Sequence, residues 1–327
     1  MSENNSPSNA QIRALELYVD LHNRTACYHI LQTARKIGLI EALGTGEKNL
    51  EQLSECCGVT TLRLRPIMDV LCELKIVEQY GEDYTRSQVT RLLTPHDNDL
   101  GQAYFETLTD SMNPRAEKSG NRLAAIRSRL MARQWLTTPV AIELTRVLQI
   151  GTDRTGLRVL DIGCGTGVFS LAIADRDPNP SITLVDDTEP LQTAKANAKA
   201  MGLLDCIHTI VGDYRTVGLP TAQFNLVLLA NALSLESDGG HSLITRAQQA
   251  LHSEGELVIV DLFPGQPQGD ITRQVYSIEI GMQLPDAQPC APFDIQDLLD
   301  SCGFNKPMYS HLEAPPYAYG MIVARKR

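Results

Sequence analysis

The sequence lacks any apolar run approaching the roughly 20 residues a membrane-spanning helix requires, which removes the function classes that depend on one. It also lacks a surplus of positive charge: 29 Lys and Arg stand against 39 Asp and Glu, a formal net charge of -10. General affinity for nucleic acid or anionic membrane favours basic surfaces, so neither partner is expected. Its eight cysteines, at 27, 56, 57, 72, 164, 206, 290 and 302, form no C-x-x-C pair. That spacing suggests neither a zinc site nor a thioredoxin-like redox centre, and no metal is expected. No signal peptide is visible, and residues 1–9, rich in Ser, Asn and Pro, read as a frayed tail. A reducing cytoplasm is the simplest expected compartment.

What is present is an ordinary globular composition, 43% hydrophobic and 21% charged, in 327 residues, enough for two domains. From about Ala10 to Leu43 apolar residues recur at helical spacing. Asn49 then reads as an N-cap and Gly58 as a C-terminal stop around one short helix. A further helix is expected from near Arg65 to Leu74, with Pro66 in its first turn. Val77–Thr85 has strand-like ends around a Gly-Glu-Asp turn. Helix, turn, helix and hairpin in that order describe a winged helix over residues 10–100. Its charge argues against DNA: residues 40–95 hold nine acidic and six basic side chains, a net of -3. Residues 101–155 read as a helical linker contributing to the pocket, with Trp135 among its large side chains.

From Leu157 the pattern changes to short apolar runs alternating with helices. Residues 158–162, 181–185, 207–211, 225–230 and 256–261 are expected strands, nearly continuous in hydrophobicity, as buried parallel strands are. Such alternation implies an α/β fold with a doubly wound, Rossmann-like sheet over residues 156–327, whose ligands sit at the carboxyl ends of the strands.

The first strand–helix turn reads Asp161-Ile-Gly-Cys-Gly-Thr-Gly167. Gly163, Gly165 and Gly167 let the backbone turn sharply and approach a ligand without a Cβ in the way. The spacing is G-x-G-x-G, not the G-x-G-x-x-G of dinucleotide-binding loops. Asp161, two residues before the first glycine, would repel a pyrophosphate and attract a ligand bearing an ammonium and a sulfonium. S-adenosylmethionine is that ligand. Asp186 ends the second strand 19 residues after Gly167, where a carboxylate accepts hydrogen bonds from ribose hydroxyls. Asp187 is the alternative acceptor. After the third strand, Asp213 is a candidate for the adenine amino group and Tyr214 for the face of its ring.

With these motifs the chain resembles class I S-adenosylmethionine-dependent methyltransferases, in particular the winged-helix-dimerised small-molecule O-methyltransferases (caffeate, acetylserotonin and hydroxyneurosporene type). The resemblance implies a seven-stranded sheet whose last strand, near Tyr319–Ala324, inserts antiparallel. It also implies a homodimer formed through the N-terminal domain, and a small-molecule acceptor. Phe263 and the segment Tyr276–Met282 would then lie near the acceptor.

In one respect the chain departs from the resemblance. Members with phenolic substrates carry a His base soon after the fourth strand, and here Ser234 stands at that position. An unperturbed serine hydroxyl is no base at neutral pH. The expectation is therefore positioned in-line transfer without that base, with His241, Glu236 and His208 as nearby substitutes and His241 the foremost. Two alternatives follow: a winged-helix, ligand-sensing transcription regulator, or a cofactor-binding protein without methyl transfer.

Overall fold

The computed structural model describes residues 9–88, 90, 105–106, 108, 131, 134–236, 240–263, 271, 274–275, 278, 292–305, 307–314 and 317–327. The chain divides into two compact units, residues 1–102 and 103–327.

In the first unit a long helix α1 (Asn9–Lys36) gives way at Gly38, whose φ of 74° is left-handed, to a single turn α2 (Leu39–Ala42). A two-residue strand β1 (Lys48–Asn49) precedes α3 (Leu50–Cys57). Asn49 caps α3 reciprocally: its Oδ1 accepts the Gln52 N–H at 2.9 Å while Gln52 Oε1 accepts the Asn49 N–H at 3.0 Å. Gly58, at φ 65°, ends the helix. Helix α4 runs from Thr61 to Glu73, starting four residues before the sequence pattern suggests, and Pro66 lies inside it. The Thr60 carbonyl nucleates this earlier start by accepting both Arg63 N–H and Leu64 N–H. The longer helix buries Leu64, Met68 and Leu71 on one stripe. Pro66 has no N–H to offer the Leu62 carbonyl, but Leu62 is 85% exposed and that turn faces water. A hairpin of β2 (Val77–Tyr80) and β3 (Asp83–Arg86) turns over Gly81 and Glu82 and pairs back with β1, a third strand that the sequence pattern does not announce. Leu31, Leu39, Leu53, Met68 and Tyr84 are among the residues closing this unit's own core.

The second unit is built on a seven-stranded sheet in the order β6-β5-β4-β7-β8-β10-β9. Helix α5 (Thr138–Val147) leads into β4 (Arg158–Ile162), α6 (Val168–Arg176), β5 (Ser181–Asp186), α7 (Thr188–Ala200) and β6 (Ile207–Val211). The chain crosses back through β7 (Phe224–Ala230), α8 (His241–Ala250) and β8 (Leu251–Asp261). It ends with α9 (Pro292–Ser301) and an antiparallel pair, β9 (Met308–Ala314) and β10 (Tyr317–Arg325). β10 lies between β8 and β9, antiparallel to both.

Alternate residues of each strand serve two separate cores, as a sheet covered on both faces requires. Val159, Ile182, Leu184, Leu226 and Leu228 meet α5, α6 and α7 on one face. Leu160, Ile162, Val227, Leu229 and Ile259 meet α8 and α9 on the other. Strand order reverses between β4 and β7. The connection leaving β4 turns to one face and that leaving β7 to the other, opening the crevice where doubly wound sheets bind ligands.

Candidate active site

The loop from β4 to α6 forms one wall of that crevice. Gly163 and Gly165 sit at φ 72° and 55°, backbone that other residues adopt at a cost. The Val185 carbonyl accepts the Gly163 N–H at 2.9 Å, tying the turn to the neighbouring strand. A side chain at 163 would meet Ala232 at 3.4 Å and the Tyr214 ring at 3.6 Å. From α7, Asn197 Nδ2 donates to the Thr166 carbonyl at 3.1 Å, and Ala194 packs under Gly167.

Asp161 lies beneath this loop, 1% exposed. Burial raises its carboxyl pKa to about 7; the Ser170 hydroxyl opposes the shift and the charge of Asp186 adds to it. Its Oδ1 is buried without a hydrogen-bond partner among the described residues. A buried polar atom left unanswered next to a glycine loop is what a site awaiting a polar ligand contains. Asp186, at the end of β5, accepts the Gly165 N–H on Oδ2 and the Asp187 N–H on Oδ1, both at 2.8 Å. One of its lone pairs thus braces the loop and another is taken by its own neighbour, and a carboxylate has capacity for ribose hydroxyls besides.

The loop after β6 brings Gly212 to the Asp186 carbonyl, its N–H donating at 3.0 Å. Asp213 beyond it is exposed, and its carboxylate accepts the Arg215 N–H at 3.0 Å. The Tyr214 ring turns inward under Gly163 and its hydroxyl donates to Glu236 Oε1 at 3.3 Å. Burial, with the Glu236 charge, pushes the phenol up to about 12, so it stays neutral and can only donate or accept a hydrogen bond. Arg215 lies 3.5 Å from the same Glu236 oxygen.

Ser234, on the short 3-10 turn Leu233–Leu235 after β7, is 1% exposed. Its hydroxyl donates to Asp261 Oδ2 at 2.6 Å, and Asp261 Oδ1 accepts the Leu262 N–H at 2.7 Å. His241 is exposed at the start of α8. His208 is exposed on β6, an edge strand three places from β7. Phe263 is 3% exposed and packs edge-on against Tyr309, with ring centroids 5.9 Å apart. Trp135 is half-buried on the 3-10 turn Gln134–Thr137. Met282 and the segment containing Tyr276 lie outside the described residues.

Two residues at this crevice carry no sequence motif. Asn231, first after β7, holds φ 55°, rare for a residue with a side chain, and its Oδ1 is buried without a partner among the described residues. Gln134 bonds the glycine loop itself, its Oε1 accepting the Thr166 N–H at 2.6 Å. The wall so formed carries three carboxyl groups, Asp161, Asp186 and Asp213. No Lys or Arg among the described residues is seen to bond to residues 163–167. Such a wall suits a phosphate-free ligand with a cationic centre and ribose hydroxyls, and S-adenosylmethionine fits it.

Comparison with known proteins agrees with this chemistry. Residues 144–266 match the family model of the methyltransferase small domain. A ribosomal protein arginine N-methyltransferase of Schizosaccharomyces pombe is 33% identical over 94 residues, 28% of this chain and 17% of that protein. The chain therefore spans about a sixth of that relative's length. Whole-chain likeness is to solved structures. A protein of Nostoc punctiforme described as an O-methyltransferase superposes with a TM-score of 0.72 at 20% identity, covering 98% of this chain and 100% of that one. Human N-acetylserotonin methyltransferase, solved with S-adenosylmethionine, superposes with a TM-score of 0.70 at 17% identity, covering 100% of this chain and 99% of that one. Identities this low speak for the fold, and the domain match speaks for the family. Residues 144–266 thus carry a methyltransferase small domain, and the whole chain has the fold of these methyltransferase structures.

Proposed function

We propose that this protein transfers the methyl group of S-adenosylmethionine to an oxygen atom of a small-molecule acceptor, as a homodimer and without a histidine base. The observation carrying the reading is the glycine loop at the sheet's switch point, braced by Asp186 and bonded to no Lys or Arg among the described residues. When bound, S-adenosylmethionine supplies an electrophilic methyl on a sulfonium. Asp186 then binds ribose hydroxyls and Asp213 the adenine amino group, while Gly163, Gly165 and Gly167 let the loop turn at positive φ and close against Tyr214, Gln134 and Ala194. Asp161 lends negative charge beneath the loop when ionised.

Proton removal is not assigned to Ser234, whose hydroxyl already donates to Asp261. Glu236 is engaged by Tyr214 and Arg215, and His241 and His208 are exposed. This supports a chain that contributes proximity and orientation to an acceptor already ionised or intrinsically nucleophilic. An apolar pocket is the expected surrounding of such an acceptor, with Trp135, Phe263 and Met282 as candidates to line it.

Calorimetric titration tests the cofactor. S-adenosylhomocysteine should bind and NADH should not; the reverse pattern overturns the reading. In the same assay Asp186→Ala should weaken S-adenosylhomocysteine by roughly 10- to 100-fold, the loss of hydrogen bonds to a charged group. An unchanged affinity would remove the ribose assignment. Screening phenols, other hydroxyl compounds and amines for methyl transfer then tests the accepting atom. Transfer to amines alone would overturn the oxygen assignment, and cofactor binding with no transfer to any acceptor would favour a non-catalytic binding protein.

A further inference from the structure

We infer that Gln134 is a cofactor-positioning residue that recognises the carboxylate at the amino-acid end of the cofactor. The inference rests on the reading that the glycine loop binds S-adenosylmethionine. Three observations carry it.

The first is where the carboxamide lies. A Cβ built on Gly165 would fall inside the Gln134 side chain, 2.6 Å from Oε1 and 2.8 Å from Cδ. The space that glycine leaves open at this position is therefore filled by Gln134. The loop and this residue form one surface.

The second is how the loop's donors are spent. Gly165 N–H goes to Asp186 Oδ2 and Thr166 N–H to Gln134 Oε1. Two consecutive backbone amides that would otherwise meet an anion are thus answered within the chain. The bond to Thr166 commits the oxygen of the carboxamide and leaves Nε2, with its two N–H donors, without a hydrogen-bond partner among the described residues.

The third is the surrounding charge. Asp161 and Asp186 make the wall acidic, favourable to an ammonium or sulfonium and unfavourable to a carboxylate. A zwitterionic amino-acid end held there requires a donor for its negative group. Gln134 supplies one that is neutral, so it does not cancel the attraction for the cation. Its position is fixed by its own backbone: the Gln134 carbonyl accepts the Thr137 hydroxyl at 2.6 Å, and this turn runs directly into α5, which packs on the sheet.

The test compares two ligands on three proteins by calorimetric titration. S-adenosylhomocysteine carries the amino-acid end, and 5′-methylthioadenosine lacks it. Gln134→Glu keeps an oxygen for the Thr166 N–H but replaces the two donors with negative charge. Gln134→Leu removes both functions. The expected result is that Gln134→Glu weakens S-adenosylhomocysteine by roughly 10- to 100-fold while leaving methylthioadenosine within about twofold, a selectivity that bracing of the loop alone would not produce. Gln134→Leu should show the same selectivity, on top of any common loss from a looser loop. Equal weakening of both ligands in Gln134→Glu overturns the assignment and reduces Gln134 to a loop brace. Tighter or unchanged binding of S-adenosylhomocysteine overturns it as well, marking Gln134 as a removable occupant of the space. Failure of the unaltered protein to bind either ligand is a different result: it overturns the cofactor reading and this inference with it.

Discussion

Asp161 shows how a single residue can serve binding at the expense of stability. It is buried under the glycine loop with one oxygen unanswered, and burial raises its carboxyl from 3.8 to about 7. An acid whose folded pKa lies above its unfolded value favours folding while it stays protonated. Its contribution is therefore full below about pH 4, is lost as pH rises to about 7, and is constant above that. Asp161→Asn removes the titration. The gain in melting temperature of this variant over the unaltered protein should be small at pH 4, grow up to pH 7 and level off at pH 8. Thermal unfolding across that range checks it, and a gain independent of pH would show that the folded carboxyl titrates normally. The same substitution should weaken S-adenosylhomocysteine at pH 8, where the lost charge faces a cationic end. Stability given up where a ligand is to bind is a recurring compromise of functional sites.

At the scale of elements, the ends of β7 and β8 are joined by a bond that sequence inspection does not reveal. Ser234, on the turn after β7, and Asp261, the last residue of β8, are 27 positions apart, and the parallel pairing of β7 with β8 brings them to 2.6 Å. Ser234→Ala leaves the buried Asp261 carboxylate one donor short, a loss of about 1–3 kcal/mol. The melting temperature should fall by roughly 2–10 °C for a domain of this size. If Ser234 ties the strand ends without taking part in proton transfer, the affinity for S-adenosylhomocysteine should stay within about twofold, and the shape of any pH–rate profile should be unchanged. Loss of the pH dependence in this variant would instead make Ser234 part of a proton path. The contrast with β4, β5 and α6 is informative. Those elements were legible because buried parallel strands are written as unbroken apolar runs, and the acid-led glycine loop sits where one of them ends. Asn49 and Gly58 were legible because helix ends need specific side chains. Pro66 misled because proline signals a helix start only when nothing upstream nucleates one, and the Thr60 carbonyl does. Gln134 was illegible: it meets the loop from more than 30 positions away, in a segment without a motif, through a contact that only the folded sheet and α5 create. Asn231 was hidden for a related reason, since its φ and its unanswered oxygen belong to the turn rather than to its identity.

For the whole molecule, the open question is what covers α1. Ile12, Leu15 and Val19 follow one helical stripe at 41%, 61% and 51% exposure, and Leu17, Tyr18 and Leu21 beside them are each at least 65% exposed. Scattered surface leucines need no explanation, but six large apolar side chains within ten residues form a patch of the kind that marks an interface. Nucleic acid is a poor occupant, because residues 9–24 balance two basic against two acidic side chains and duplex affinity rests on a surplus of cations. A second copy of the chain satisfies the patch without a new partner, since a two-fold interface meets itself. Such an interface depends on apolar burial, so charge placed within it should separate the copies. The double substitution Leu15→Glu and Val19→Glu should therefore convert a dimer of about 72 kDa, twice the 36.0 kDa chain, into a monomer on light scattering. Because α1 contributes only Leu31 and Ala34, near its far end, to the described core, circular dichroism should show the helices retained. A monomer in the unaltered protein, or a dimer that survives both charges, would leave this face to another partner and remove the homodimer from the reading.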